Sequence, residues 1–300
     1  MKLKAILCAA AVCGGVSAVT AADEAVRSDV LEEEASVVSA SFSLAFDSKY
    51  LSYGFVDNRD PILTPSAEAT FFDFLTIGVE AIFDVTKYGR QAGYGNRGGK
   101  YTELPPYVGV SHAFSPEDIE WLPTTIEIGL DYLYEYHPGA KARHGDRDDG
   151  ADDDTQFWTL SLSLPDLWFE PALSIERDVI RDNGTYVSME IGHSFNLLGE
   201  DDETLVLRPS IAQGFGNCER VKAYVGECDY ATNKNGLMDT LLKLELTWSV
   251  CDNLEIGGYV GYSDFLFDKE IRRSARTYEG TGRWDESWNI IAGLAMTVSF

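Results

Sequence analysis

The sequence predicts an all-β protein: a 12-stranded antiparallel up-and-down transmembrane β-barrel that follows a cleaved signal peptide. Three observations support this prediction. Segments that alternate apolar and polar residues recur along the chain, the connections between them are alternately short and long, and aromatic residues stand at both ends of the apolar face. An up-and-down barrel with short turns on one side and long loops on the other produces this pattern.

Twelve segments show the two-residue period of a β-strand. They span residues 37–46, 63–71, 75–85, 106–114, 125–136, 157–164, 168–179, 186–195, 204–212, 241–250, 253–262 and 288–300. The last segment alone also fits a half-buried strand of a soluble sandwich. A Greek-key sandwich, however, would not keep short and long connections alternating through six hairpins.

Aromatic residues on the apolar face fall into two groups, one at each end of the strands. The group at the short-turn ends comprises Phe71, Phe114, Phe195, Trp248 and Phe300. The group at the long-loop ends comprises Phe46, Phe83, Tyr134, Tyr136, Trp158, Tyr262 and Trp288. Amphipathic rings prefer the two membrane interfaces, whereas a soluble core has no reason to sort them, so this placement favours the membrane barrel.

The chain divides into three predicted parts. Residues 1–21 carry two lysines, a short apolar run and small residues with A-x-A-like spacing, which together predict a secretory signal peptide. Residues 22–36 form an acidic leader, expected to be a disordered periplasmic extension. Residues 37–300 form the barrel.

Charge and motif content exclude several classes of partner. The formal net charge of −25 repels nucleic acid, so we expect no nucleic-acid partner. The acidic run at 144–154 lacks the residue order of an EF-hand loop and is predicted to be a solvated loop, so we predict no metal site. The G-x-G-x-x-G match at 93–98 opens no helical pattern, and no cofactor is predicted.

The face opposite the apolar one is strongly acidic, and we expect it to line the lumen. In the predicted register it carries thirteen acids and three bases: Asp47, Lys49, Glu68, Glu80, Asp84, Glu127, Asp131, Glu135, Glu170, Glu176, Asp178, Glu190, Arg208, Lys243, Glu245 and Glu255. A wall of one sign focuses potential along the axis and favours cations or neutral solutes over anions. Twelve strands are intermediate in width, so the pattern leaves a narrow passage and a plugged interior both open.

Two further groups of residues are candidates for covalent or catalytic chemistry. Cys218 and Cys228 lie in one polar loop and are a candidate disulfide, with two free thiols as the alternative. His112 and His193 fall on the apolar face, but Phe114 and Phe195 occupy the positions where a nucleophilic serine would follow. We therefore predict no catalytic residues and no enzyme activity.

In combination, these features resemble Gram-negative outer-membrane β-barrel proteins, which implies an outer-membrane location. The last strand ends in Leu294, Met296, Val298 and Phe300, which resembles the assembly signal that the barrel-insertion machinery reads. The stretches "FDSKYLSYGFVDNRDP" and "GLDYLYEYHPGA" are similar to the TorF-type porin family. The partners implied are outer-membrane lipid, the barrel-assembly machinery, and small solutes or cations.

The functional expectation is a porin-like protein giving passive passage to cations or neutral small solutes through a narrow acidic lumen. The alternative is a non-conducting structural or surface barrel that acts through its extracellular loops. An outer-membrane lipid hydrolase is a third, less favoured hypothesis.

Overall fold

A computed structural model of the chain describes residues 38–58, 60–85, 90–91, 95–96, 101–136, 154–199, 204–225, 234–277 and 288–300. Twelve long strands form the barrel and are numbered here in chain order. They are β1 (Val38–Asp47), β2 (Ile62–Phe71), β3 (Leu75–Glu80 continued by Ile82–Asp84), β4 (Pro106–Phe114), β5 (Ile126–Glu135), β6 (Thr155–Ser163), β7 (Ala172–Asp178), β8 (Thr185–Gly192), β9 (Leu205–Gly216), β10 (Gly236–Cys251), β11 (Leu254–Asp264) and β12 (Trp288–Ser299).

The barrel is closed by the first strand, which pairs with both β2 and β12. Val38 is opposite Phe71 on β2, and Ser41 is opposite both Glu68 on β2 and Ser299 on β12. Every other strand pairs antiparallel with its neighbours in sequence. The predicted fold class, a closed 12-stranded antiparallel up-and-down barrel, is confirmed.

The two faces of each strand differ in exposure in the way the sequence pattern predicts. On β6, Leu160 is 47% exposed and Thr159 is 8% exposed. On β5, Ile128 is 41% exposed and Glu127 is 9% exposed. Apolar residues therefore cover the outside of the barrel and polar residues turn away from it, which is the architecture of bacterial outer-membrane proteins.

Several strand bounds differ from the predicted ones. β7 begins at Ala172 instead of residue 168, because Glu170 has a positive φ of 38° and the amide of Leu164 bonds the carbonyl of Pro171 across a turn. β10 begins at Gly236, five residues earlier than predicted, and pairs with an extended β9 through a bulge between Gln213 and Phe215. β9 and β10 therefore extend the barrel wall further toward the long-loop end than the sequence predicts.

In the described part of the long loops, two short helices are present that the sequence pattern did not predict. The first, α1 (Cys218–Val225), is capped by Asn217, whose side chain accepts the amide of Arg220 at 3.0 Å. The second, α2 (Lys269–Thr277), is capped by Asp268, which accepts the amides of Glu270 at 3.0 Å and Ile271 at 3.1 Å. Neither of these described helices is long and apolar enough to cross a membrane.

The loop after β1 folds into a short hairpin, called the inner hairpin below, formed by Tyr50–Ser52 and Phe55–Asn58. Its turn residues Tyr53 and Gly54 have positive φ values of 52° and 86°. A second small pairing joins Tyr101–Glu103 to the end of β3. The inner hairpin is almost wholly buried, so it packs against the rest of the protein and does not project into solvent.

Three sequence predictions fall outside the described residues. They are the signal peptide at 1–21, the acidic leader at 22–36, and nearly all of the acidic run at 144–154.

Asp268 should make the stability of α2 depend on pH. Burial alone would raise the pKa of Asp268, but the amide of Ile271 and the ammonium of Lys234 hold that pKa below its ordinary value of 3.8. A depressed pKa in the folded state gives stability that is complete at neutral pH and is lost as the pH falls below about 4. We expect hydrogen-exchange protection of α2, corrected for intrinsic rates, to fall in that range.

Asp268→Asn keeps an acceptor at the cap but does not titrate, and its protection of α2 should lose this pH dependence. Asp268→Ala should lower the protection at neutral pH by about 1 kcal/mol through loss of the cap. An unchanged pH dependence in Asp268→Asn would contradict the assignment.

Candidate functional site: the polar face and the inner hairpin

The acidic residues predicted to line the lumen occupy the less exposed face of the strands, with one exception. Glu170 lies in the turn before β7, not on a strand, because the strand begins at Ala172, four residues later than predicted. The deeply buried members are Asp47, Asp84, Glu127, Glu176, Asp178, Glu245 and Glu255. The partly exposed acids on strands are Glu68, Glu80, Asp131, Glu135 and Glu190, and the bases Arg208 and Lys243 are partly exposed as well.

Many carboxylates on this face are held by hydroxyl groups. The Tyr107 hydroxyl donates to Glu68 at 2.8 Å, and the Tyr259 hydroxyl donates to Asp47 at 2.6 Å. Ser163 donates to Glu127 at 2.7 Å. A neutral donor satisfies an ionised carboxylate without cancelling its charge. These contacts therefore satisfy the three carboxylates without a cation.

Glycines make room for the tyrosine rings that provide these donors. A Cβ at Gly78 would lie 2.2 Å from the Cζ atom of Tyr107, and one at Gly293 would lie 2.3 Å from the Cε1 atom of Tyr259. Each ring thus lies against the backbone of the neighbouring strand. The sequence signal was available: Tyr107 and Tyr259 alternate with apolar residues, which placed them on the polar face.

Two cations on this face form ion pairs. Arg208 is opposite Glu245 in register, but its guanidinium pairs with Glu190 at 2.6 Å and with Glu170 at 3.1 Å. The Lys243 ammonium pairs with Glu245 at 3.0 Å, as the shared face predicts. The ion pairs of Arg208 thus lie on the side of β8 and not with Glu245 on β10.

Arg220 of α1 is the centre of a cluster that the sequence did not reveal. Its side chain is completely buried; Nη2 lies 3.1 Å from Glu176 of β7 and Nη1 lies 3.4 Å from Asp182. The guanidinium carbon is 4.7 Å from the ring centre of Tyr53, whose hydroxyl also donates to Glu176. We call these four residues the clasp.

The electrostatics of the clasp keep Arg220 charged. Burial alone would lower the pKa of Arg220, but its neighbours Tyr53 and Glu176 hold that pKa above its ordinary value. A buried cation of this kind is tolerated because each neighbour is a carboxylate or an aromatic face.

The remaining candidate residues have structural contacts. The His193 ring stacks on Trp168 at 4.7 Å, and its Nδ1 atom lies 2.6 Å from the Trp168 carbonyl. Leu294, Met296 and Phe300 are exposed on the outside of β12 and at its end. Within the described part of the chain, no group of three His, Cys, Asp or Glu residues is arranged to hold a metal.

The disulfide prediction is not tested. Cys228 lies outside the described residues, and Cys218 opens α1 with its amide donating to Asn235 at 2.9 Å.

Comparison with known proteins adds structural neighbours alone. No protein-family model and no curated protein matches the sequence, and the TorF-type resemblance is not confirmed. Among solved structures, a KdgM porin in complex with disordered oligogalacturonate aligns with a TM-score of 0.46 and 8% identity, over 87% of this chain and 99% of that chain. An outer membrane channel from Pseudomonas putida F1 aligns with a TM-score of 0.44 and 10% identity, over 91% and 100%.

The outer membrane protein opdK from Pseudomonas aeruginosa aligns with a TM-score of 0.36 and 13% identity, over 86% of this chain and 66% of that chain.

Removal of the clasp cation should destabilise the barrel strongly. Arg220→Met leaves Glu176 buried without its charge partner, and breaking a buried ion pair in this way costs about 3–5 kcal/mol. We expect to observe this decrease in the free energy of unfolding when the protein, refolded in lipid, is unfolded with denaturant. The double variant Arg220→Met with Glu176→Gln should recover part of it, since no ionised group then remains at position 176; equal losses would contradict the coupling.

Proposed function

We propose that the barrel is an outer-membrane pore that gives small cations and neutral solutes passive passage through a narrow acidic lumen. The observation that carries this proposal is the pairing of inner carboxylates with hydroxyl donors. Asp47, Glu68 and Glu127 bond tyrosine or serine hydroxyls. A barrel with no need of internal charge would pair such acids with cations or replace them with apolar residues.

The sign of the retained charge supports a preference for cations. The polar face runs from Glu255 and Glu127 near the short turns to Asp47 near the long loops. Fixed negative groups along a low-dielectric wall lower the energy of a cation on the axis and raise that of an anion.

The width of the lumen supports small solutes. Twelve strands enclose more space than the eight-stranded barrels that side chains fill, and less than the 16-stranded porins with a clear channel. The Tyr107 and Tyr259 rings occupy part of this space. We propose that the polar face lines the remaining passage.

One observation favours the alternative, a non-conducting barrel that works through its loops. Tyr53 and Phe55 of the inner hairpin form a buried apolar cluster with Tyr186 of β8, Met238 of β10 and Phe265. Such a cluster occupies space at the long-loop end. Electrical measurement distinguishes the two functions.

Reconstitution in a planar bilayer should give repeated steps of cation-selective conductance. The triple variant Glu127→Gln, Asp131→Asn and Glu255→Gln should lower the cation-to-anion permeability ratio. A unit charge about 10 Å from an ion in water contributes about 0.4 kcal/mol, so after screening at about 0.1 M salt we expect roughly a fivefold decrease.

The matched control neutralises three exposed acids of the short turns, with Glu117→Gln, Glu120→Gln and Asp252→Asn. It removes the same net charge away from the polar face and should change the ratio much less. A silent bilayer with inserted protein overturns the pore proposal; equal effects of the two triples overturn the proposed lining.

We also propose that the barrel-assembly machinery reads the end of β12. Phe300 is 78% exposed although its amide donates to the carbonyl of Ala40 at 2.8 Å, so its ring is free to contact a partner while its backbone is paired. Phe300→Ala should reduce the fraction of folded protein recovered in outer membranes, by comparison with Phe72→Ala in an exposed short turn. Equal recovery of the two variants contradicts this role.

A further inference from the structure

The inner hairpin reaches from one wall of the barrel to the opposite wall. It follows β1, and its tip residue Tyr53 donates to Glu176 of β7. Counted around the closed ring, β7 is six strands from β1 in either direction, because each strand pairs with its neighbours in sequence and β12 pairs with β1. In a ring of twelve, strands six apart are diametrically opposed.

The hairpin is fixed at several points along this span. Near its base, the Tyr50 hydroxyl donates to Glu103 at 2.9 Å, beside the end of β3. In its middle, Leu51 and Val56 pack against Ile291 of β12. At its tip, the Tyr53 ring contacts Tyr186 of β8 at 4.7 Å and the Arg220 guanidinium.

The turn of the hairpin is built to pass close to the wall. A Cβ at Gly54 would lie 2.5 Å from the Cβ atom of Asp239 on β10 and 3.0 Å from the Phe265 ring, and Gly54 has a φ of 86°. Only glycine combines that backbone conformation with so close an approach. At the tip, Gly54 therefore lies between β10 and Phe265, while the preceding Tyr53 contacts β7.

We propose that the inner hairpin sets the largest solute that can enter the lumen, and that the clasp fixes this limit by holding Tyr53 against the opposite wall. The inference rests on the proposed pore function and names the element that determines size selectivity. A segment that crosses a ring at its full diameter divides the opening, so its position sets the widest free path. Without the Tyr53 contacts, the hairpin loses its link to β7, while its base and middle contacts and the packing of Phe55 on Phe265 remain.

The test compares two hydroxyl-bearing tyrosines of the same hairpin. Tyr53→Ala removes the tip contact, and Tyr53→Phe removes its hydroxyl alone. Tyr50→Phe removes the corresponding hydroxyl at the base and is the matched control. The first readout is the swelling rate of liposomes in neutral sugars of increasing size, from a monosaccharide to a tetrasaccharide.

The second readout does not depend on transport. Met238 is fully buried in the cluster beneath the hairpin, so the thiol introduced by Met238→Cys reports release of the tip. The background carries Cys218→Ser, Cys228→Ser and Cys251→Ser, and the probe is a membrane-impermeant maleimide. We expect Tyr53→Ala to raise the labelling rate at least tenfold and to admit sugars that the unaltered protein excludes, whereas Tyr50→Phe changes neither.

Every other result contradicts one part of the proposal. Faster labelling with an unchanged sugar limit overturns the role in size selection, and unchanged labelling with an unchanged limit overturns the clasp. Faster labelling with no sugar uptake in any variant overturns the pore function while supporting the clasp as a cover. If Tyr53→Ala does not insert, Tyr53→Phe carries the test, with smaller changes expected in the same direction.

Discussion

The structure depends on one constraint: every backbone amide and carbonyl that faces lipid must find a partner within the protein. β1 meets it by pairing with β2 on one side and β12 on the other, which leaves no edge in the ring. Closure then decides the chemistry of both faces. Alternate residues of each strand face lipid on the outside, where apolar side chains are required, and a confined interior on the inside.

The confined space explains why tyrosine and glycine recur together on the polar face. A carboxylate turned inward loses part of its hydration and needs donors close by. The hydroxyls of Tyr107 and Tyr259 supply them from two strands away, and Gly78 and Gly293 on the intervening strands leave room for the rings. The cations Arg208 and Lys243 donate to Glu190 and Glu245, and in these pairs the carboxylate charge is neutralised. The inner carboxylates thus have donors of two kinds, neutral hydroxyls and cations.

The sequence predicted what local alternation determines and missed what distant segments determine. A period of two, with sorted aromatic residues, was enough for twelve strands, their order and the two faces. Glu170 was misplaced because the pattern continues through a turn that a positive φ and Pro171 impose. Arg220 was missed because nothing in its helix records that Glu176 and Tyr53 converge on it. Tyr53 and Arg220 lie in connections that are distant in sequence, and they meet Glu176 only when the ring brings them together.

The clasp therefore depends on closure. Its members come from the connection after β1, from β7 and the turn that follows it, and from the helix between β9 and β10. In an open sheet, β1 and β7 would be separated by the width of the five strands between them, and Tyr53 could not reach Glu176. Closing the ring reduces the distance between these two strands to the barrel diameter, and the inner hairpin spans that distance. The same pairing that removes the sheet edge also encloses the interior and positions the hairpin that crosses it.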